Sequence, residues 1–272
     1  MTSWSFQHTG PFLVAGPCVV EPGDLLARVA GALAELSQRL ELPVCFKASF
    51  DKANRARVDG ARGPGIAEGL RLLEDARKAS GLPILTDVHE SSQVAAVAQV
   101  VDALQIPAFL CRQTDLLLAA AATGRPINIK KGQWLAAEGM AGAVEKARSG
   151  GAADLAVTER GSFFGYGDLV VDYRNLARMR QATGVPVIFD ATHSVQQPGQ
   201  GGGGTSGGLR EHIPALLRAA AVAGADGFFL ETHPDPSSAT SDAATQWPLD
   251  DLEALLRPAV DLWHAARTLA HA

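Results

Sequence analysis

The chain has 272 residues, 47% hydrophobic and 19% charged, which is apolar material enough for one large core. A formal net charge of −5 and a pI near 5.8, with no basic tail or basic helical face, exclude a general binder of nucleic acid or of anionic membrane. The opening "MTSWSFQHTG" lacks the apolar stretch of a signal peptide and the longest apolar runs are too short to span a bilayer, so a cytoplasmic protein is expected.

Runs with strand character follow one another along the chain. They are "FLVAGPCVV" from Phe12, "VCFKASF" from Val44, "PILTDVH" from Pro83 and "ALQIPAF" from Ala103, then "PINIKKG" from Pro126, "LAVTERG" from Leu155, "PVIFDATHS" from Pro186 and "GFFLETHP" from Gly227. Their near-continuous apolar cores suit strands covered on both faces of a parallel sheet. Between them lie segments of helical period, among them "DLLARVAGALAELSQRL" from Asp24, "SSQVAAVAQVV" from Ser91 and "LREHIPALLRAAAVAG" from Leu209, with Gly224 as its C-terminal cap. The alternation predicts one α/β domain over residues 1–272, a (β/α)8 TIM barrel with a short N-terminal cap; a doubly wound open sheet is the alternative. The run "PGQGGGGTSGG" from Pro198 is read as a loop that can close over the barrel mouth rather than as an interdomain linker, because too little chain follows it to build a second core.

In such barrels chemistry gathers at the C-terminal ends of the strands. Those ends carry Cys18, Lys47 and Lys52, Asp87 and His89, Gln105, Lys130 and Lys131, Arg160, Asp190 and His193, and Glu231 and His233. Lys47, Lys52, Lys130 and Arg160, with Arg55 and Arg112 in nearby loops, form a cationic set that makes sense where anionic substrates arrive to satisfy it. Cys18, His193 and Glu231 come from strands adjacent in a closed barrel, with Asp242 in the loop beyond. This mixed soft and hard donor set suits Fe²⁺, Zn²⁺, Mn²⁺ or Co²⁺ better than Mg²⁺ or Ca²⁺. On residue type alone Cys18 is equally a small buried hydrophobe, and the three cysteines, Cys18, Cys45 and Cys111, suit reduced thiols.

Taken in order, "GPC" at Gly16, "FKASFDKANR" from Phe46, "RGPG" from Arg62, "TDVHE" from Thr86, "QIPAFLCRQTDLL" from Gln105, "NIKKGQ" from Asn128, "TERG" from Thr158, "FDATHSVQ" from Phe189 and "ETHPDP" from Glu231 resemble the 3-deoxy-D-manno-octulosonate 8-phosphate synthases over nearly the whole chain. The resemblance implies condensation of phosphoenolpyruvate with D-arabinose 5-phosphate, in lipopolysaccharide biosynthesis, by a homotetramer. It implies one divalent metal ion on Cys18, His193, Glu231 and Asp242, since metal-independent members carry asparagine at the position of Cys18. Lys52, Asp87, Lys130 and His193 take the catalytic positions. Lys130, Arg160, Lys52 and Gln105 resemble phosphoenolpyruvate contacts, with Lys47 and His193 close by, Asn54 and Arg55 resemble contacts to the aldose phosphate, and Arg112 resembles a residue lent across a subunit interface. The related synthase that uses erythrose 4-phosphate has a "KPRT"-type motif where this chain has "KANR". A metal-dependent barrel hydrolase and an inactive scaffold are the readings from other classes. Two departures stand out: Ala56 follows "KANR" where the family has serine, and Gly167 replaces the usual asparagine.

Overall fold

The eight apolar runs form eight parallel strands in the computed structural model, which describes residues 4–21, 23–53, 59–163, 167–202 and 206–270. The strands are β1 (Phe12–Gly16), β2 (Val44–Lys47), β3 (Ile84–Asp87), β4 (Ala103–Ile106), β5 (Ile127–Lys130), β6 (Leu155–Glu159), β7 (Val187–Asp190) and β8 (Gly227–His233). Each pairs with the next in chain order. β1 also pairs with β8, Phe12 to Gly16 lying opposite Gly227 to Glu231, and this seam closes the sheet into a barrel and removes the open-sheet alternative. Around it run the helices α1 (Leu25–Leu40), α2 (Ile66–Ser80), α3 (Ser91–Val100), α4 (Thr114–Ala121), α5 (Met140–Ser149), α6 (Arg174–Thr183), α7 (Ile213–Ala223) and α8 (Leu252–Ala270).

Helix α1 shows how the ring is held: Leu26, Val29, Leu33 and Leu36 are buried at three- and four-residue spacing, so one stripe faces the sheet. The predicted start of α7 moves from Leu209 to Ile213, because a short 3-10 turn over Arg210–His212 precedes it. Its end agrees: Gly224, at φ 101°, donates its N–H to the carbonyl of Ala220, a backbone state that favours glycine.

Period-two alternation within the strands decides what fills the barrel. Phe12, Val14, Cys45, Leu85, Ala103, Ala156, Ile188 and Phe229 form an apolar plug in its lower half, completed by Trp4 and Phe6 from the N-terminal cap. Trp4 meets Phe12 edge-on at 5.8 Å, and the N–H of Phe6 donates to the carboxylate of Asp154 at the foot of β6. Two residues beyond the plug, on the same strand faces, stand Lys47, Asp87, Gln105, Thr158, Asp190 and Glu231. The polar clusters at the strand ends are therefore the next layer of the same stack.

The glycine-rich run is tied at both ends, since Gln196–Gln197 pairs antiparallel with Gly207–Gly208. Gly208 packs so closely on the loop after β8 that a Cβ there would lie 2.2 Å from the Thr245 methyl group.

Candidate active site and metal centre

The mouth of the barrel is a cavity of about 960 Å³, into which Lys47, Lys52, Asp87, Gln105, Lys130, Arg160, His193, Glu231 and Asp242 all face. Asn54 and Arg55 lie outside the described residues. Arg112 is exposed and does not line the cavity of its own chain. Lys131 and His233 are also turned elsewhere. Lys131, one residue out of phase with Lys130, is buried behind the site against Glu159 at 3.6 Å, and it donates to the carbonyls of Gly132 and Gly161. His233 passes the rim and lies 3.7 Å from Glu21. His89 does line the cavity, with its Nδ1 buried and without a hydrogen-bond partner among the described residues.

Donor atoms of Cys18, Glu231 and Asp242 lie within 4.8 Å of one another and form a group able to hold a metal ion. Strand geometry explains the meeting: Glu231 pairs with Gly16 across the seam, and Cys18 follows two residues later. Cys18 Sγ is 3.0 Å from Asp242 Oδ2. Asp242 sits at φ 50°, a region that non-glycine residues seldom occupy, and the N–H groups of Thr245 and Gln246 both donate to its carbonyl. Glu231 uses one oxygen for Lys47, at 2.7 Å, while the other, Oε2, is buried with no hydrogen-bond partner among the described residues. A lone acceptor in that position fits a cation.

His193, in the short turn after β7, places Nε2 3.7 Å from Glu231 Oε2 and 3.9 Å from Asp242 Oδ2. Its other ring nitrogen, Nδ1, lies 2.7 Å from Asp190 Oδ2, although the two are not aligned as a hydrogen bond. The Cys18 thiol is pushed well above its ordinary pKa by burial first, then by Asp242 and Glu231. A cation among these groups reverses that balance, because it favours the thiolate.

The cations are less bare than charge counting suggests. Lys47 is bonded to Glu231 and to the carbonyl of Cys18. Lys130 Nζ is 2.5 Å from Asp190 and 3.4 Å from the centre of the Phe229 ring, and burial pulls its pKa below the usual lysine value although Asp190 opposes. At Lys52 burial acts downward, but Cys18, Glu231, Asp87 and Asp242 outweigh it and raise the pKa. Arg160 keeps a spare donor: Nη2 donates to Gln196 at 2.6 Å, while Nη1 is buried without a partner among the described residues. An arginine with an unused buried N–H in a cavity is a receptor for an anion.

Gln196 was not singled out by the sequence, since a neutral side chain carries no charge signal. It accepts from Arg160 and donates to Asp242 at 3.1 Å, so it bridges the cationic and metal-binding halves of the site.

Known proteins are similar to this chain over most of its length. The model of the DAHP synthetase I family matches residues 7–266. A 2-dehydro-3-deoxyphosphooctonate aldolase of Nitratidesulfovibrio vulgaris is 54% identical over 252 residues, covering 93% of this chain and 92% of that protein. Proteins of the same name from Acidithiobacillus ferrooxidans and Nitrobacter winogradskyi are 55% and 56% identical, each over 90% of this chain and over 87% and 85% of their own lengths. Because the family model spans most of the chain and these relatives share more than half of its residues, the chain belongs to the DAHP synthetase I family, among the 2-dehydro-3-deoxyphosphooctonate aldolases.

Proposed function

We propose that this protein condenses phosphoenolpyruvate with D-arabinose 5-phosphate and water to give 3-deoxy-D-manno-octulosonate 8-phosphate and phosphate. The observation that carries this reading is one cavity in which Lys47, Lys52, Lys130 and Arg160 face the donor group of Cys18, Glu231 and Asp242. Two anionic substrates brought together need cations to neutralise them and fixed geometry to align them. In this reading Lys52, Lys130, Arg160 and Gln105 hold phosphoenolpyruvate, with Lys47 beside it. Asn54 and Arg55 take the aldose phosphate, and Asp87 stands near the reacting groups. A bond forms between C3 of phosphoenolpyruvate and the aldehyde carbon, water oxygen adds at C2, and the C–O bond to phosphate breaks. One proton of the water ends on the former aldehyde oxygen and the other leaves with phosphate.

Cys18, His193, Glu231 and Asp242 would hold one divalent ion: Fe²⁺, Zn²⁺, Mn²⁺ or Co²⁺. When bound, such an ion supplies Lewis acidity for activating water or polarising a carbonyl. We further propose a single barrel domain over residues 1–272 and a cytoplasmic homotetramer in which Arg112 reaches a neighbour's cavity. Among the described residues no helix is long and apolar enough to cross a membrane.

The family-level description keeps erythrose 4-phosphate as the second candidate aldose. Phosphate release by metal-replete protein, with the two aldoses in competition, separates the readings. A higher kcat/KM with arabinose 5-phosphate is expected, and the reverse order selects the seven-carbon product. Phosphate released without any aldose selects a hydrolase, and no turnover by protein of verified metal content selects a scaffold. Chelation is expected to abolish turnover and Cys18→Ala to weaken metal binding, read by elemental analysis; full turnover after verified metal removal would refute the metal's role.

A further inference from the structure

Side chains from β6, β5, β4 and β3 and from the loop after β2 form one continuous hydrogen-bonded belt under the cavity. Thr158 Oγ1 donates to Asn128 Oδ1 at 2.7 Å, Asn128 Nδ2 donates to Gln105 Oε1 at 2.8 Å, and Gln105 Nε2 donates to Asp87 Oδ1 at 2.6 Å. The other oxygen of Asp87 accepts from the hydroxyl of Ser49, and Lys52 Nζ reaches that hydroxyl at 3.0 Å. The belt follows strand register, with Asp87 opposite Gln105 and Gln105 opposite Asn128. Thr158, Asn128 and Ser49 are wholly buried, and Gln105 and Asp87 nearly so.

Two features point beyond structural support. The interior layers of such barrels are ordinarily filled by Val, Ile and Leu, and a buried polar group costs stability unless its bonds are complete. This layer is polar across four neighbouring strands. Moreover, every donor points towards Asp87, from one side or the other. An ionised carboxylate only accepts, so Asp87 fixes the orientation of the Gln105 amide, and Gln105 in turn fixes Asn128. Turning either amide over would set oxygen against oxygen. Bonds aligned head to tail strengthen one another, and all of them converge on the carboxylate.

We propose that Asn128 and Thr158 are positioning residues which, through Gln105, hold Asp87 as a fixed anionic acceptor on the floor of the site. Arriving anionic substrates would favour protonation of a carboxylate there, and a free carboxyl group could rotate away from Ser49 and Lys52. The belt opposes both. The charged and titratable groups facing Asp87 are Lys47, 3.9 Å away on β2, Lys52 in the following loop, and His89 on its own loop. Asp87 is held well below the usual carboxylate range, with burial opposing and Lys47 and Lys52 prevailing.

The inference rests on the proposed condensation, and its test uses metal-loaded wild type, Thr158→Val and Thr158→Ser, with phosphate release measured from pH 5 to 9 and metal content checked. Valine matches threonine in shape and removes the hydroxyl, whereas serine keeps it. Thr158→Val is expected to lower kcat about tenfold, the scale of one buried hydrogen bond, with the KM for phosphoenolpyruvate within about twofold. Thr158→Ser is expected to restore kcat. Wild-type kcat in Thr158→Val overturns the proposal, and so does equal loss in the serine variant, which would assign the effect to packing. If Thr158→Val does not fold, Thr158→Cys, a weak donor, takes its place in the comparison. An inactive wild type sinks the functional reading instead. The belt is then tested by urea unfolding of the same proteins between pH 7 and 3, where identical pH dependence in valine and serine variants overturns it.

Discussion

Replacing Lys47 by methionine keeps most of the side chain's length and removes a charge that is 2.7 Å from Glu231 Oε1 and 3.9 Å from Asp87 Oδ2. All three side chains are buried, with Lys47 1% and Glu231 0% exposed, so water replaces the lost partner poorly. At an effective dielectric constant of about 20 the closer pair attracts by about 6 kcal/mol. Part of that is cancelled because the ammonium no longer has to be desolvated, and breaking a buried pair from one side usually costs about 3–5 kcal/mol. At roughly 2–4 °C per kcal/mol for a chain of this size, metal-free Lys47→Met should melt about 10 °C below wild type. The double variant Lys47→Met/Glu231→Gln, which removes the stranded charge, should regain at least about 2 kcal/mol in urea unfolding, because the two sites are in contact. A single variant that loses less than about 1 kcal/mol, or a double variant that is merely additive, would refute this account of how the site is held together.

Asp87, Asp190 and Glu231 all titrate well below the usual carboxylate range, although burial pushes each upward. Lys47 and Lys52 prevail at Asp87, His193 and Lys130 at Asp190, and Lys47 and His193 at Glu231. The unfolded chain therefore takes up protons first, near pH 4, so their contribution to stability is full above about pH 5 and is lost progressively below about pH 4. Urea midpoints at pH 7, 5, 4 and 3 read this directly, and a midpoint unchanged down to pH 3 contradicts it. Gly16→Ala would place a Cβ 2.1 Å from the backbone oxygen of Lys47, forcing β1 and β2 apart at the mouth. A loss of about 1–3 kcal/mol is expected together with weaker metal retention; wild-type values of both would show that the strands yield without cost.

The barrel was legible because its strands are continuous apolar runs, and the site because a strand entering a loop must change character. Which of two adjacent charges faces inward was harder to read. Lys130 and Lys131 are equivalent in composition, and only their phase relative to the plug residue Ala156 and its neighbours sends one to the cavity and the other to Glu159. Asp242 escaped pattern reading for a different reason. It is reached through a loop with a left-handed backbone turn, and no periodicity predicts such a path, so the sequence offered it only as a carboxylate in the loop beyond the last strand, and resemblance made it a ligand position. Gln196, Asn128 and Thr158 carry no charge, and their importance lies in whom they touch, which only the closed barrel decides. The cationic set was read as a bare funnel awaiting anions. Lys47 and Lys130 instead arrive already matched with carboxylates, because burial without a partner would have cost too much.

Gly16 lies opposite Glu231 where the first strand meets the last. During synthesis, which proceeds from the N-terminus, Cys18 leaves the ribosome more than 200 residues ahead of Glu231 and Asp242. A polypeptide cut short before Asp242 cannot assemble the thiol and both carboxylates into one nest, so ion capture would depend on the first and last strands having met.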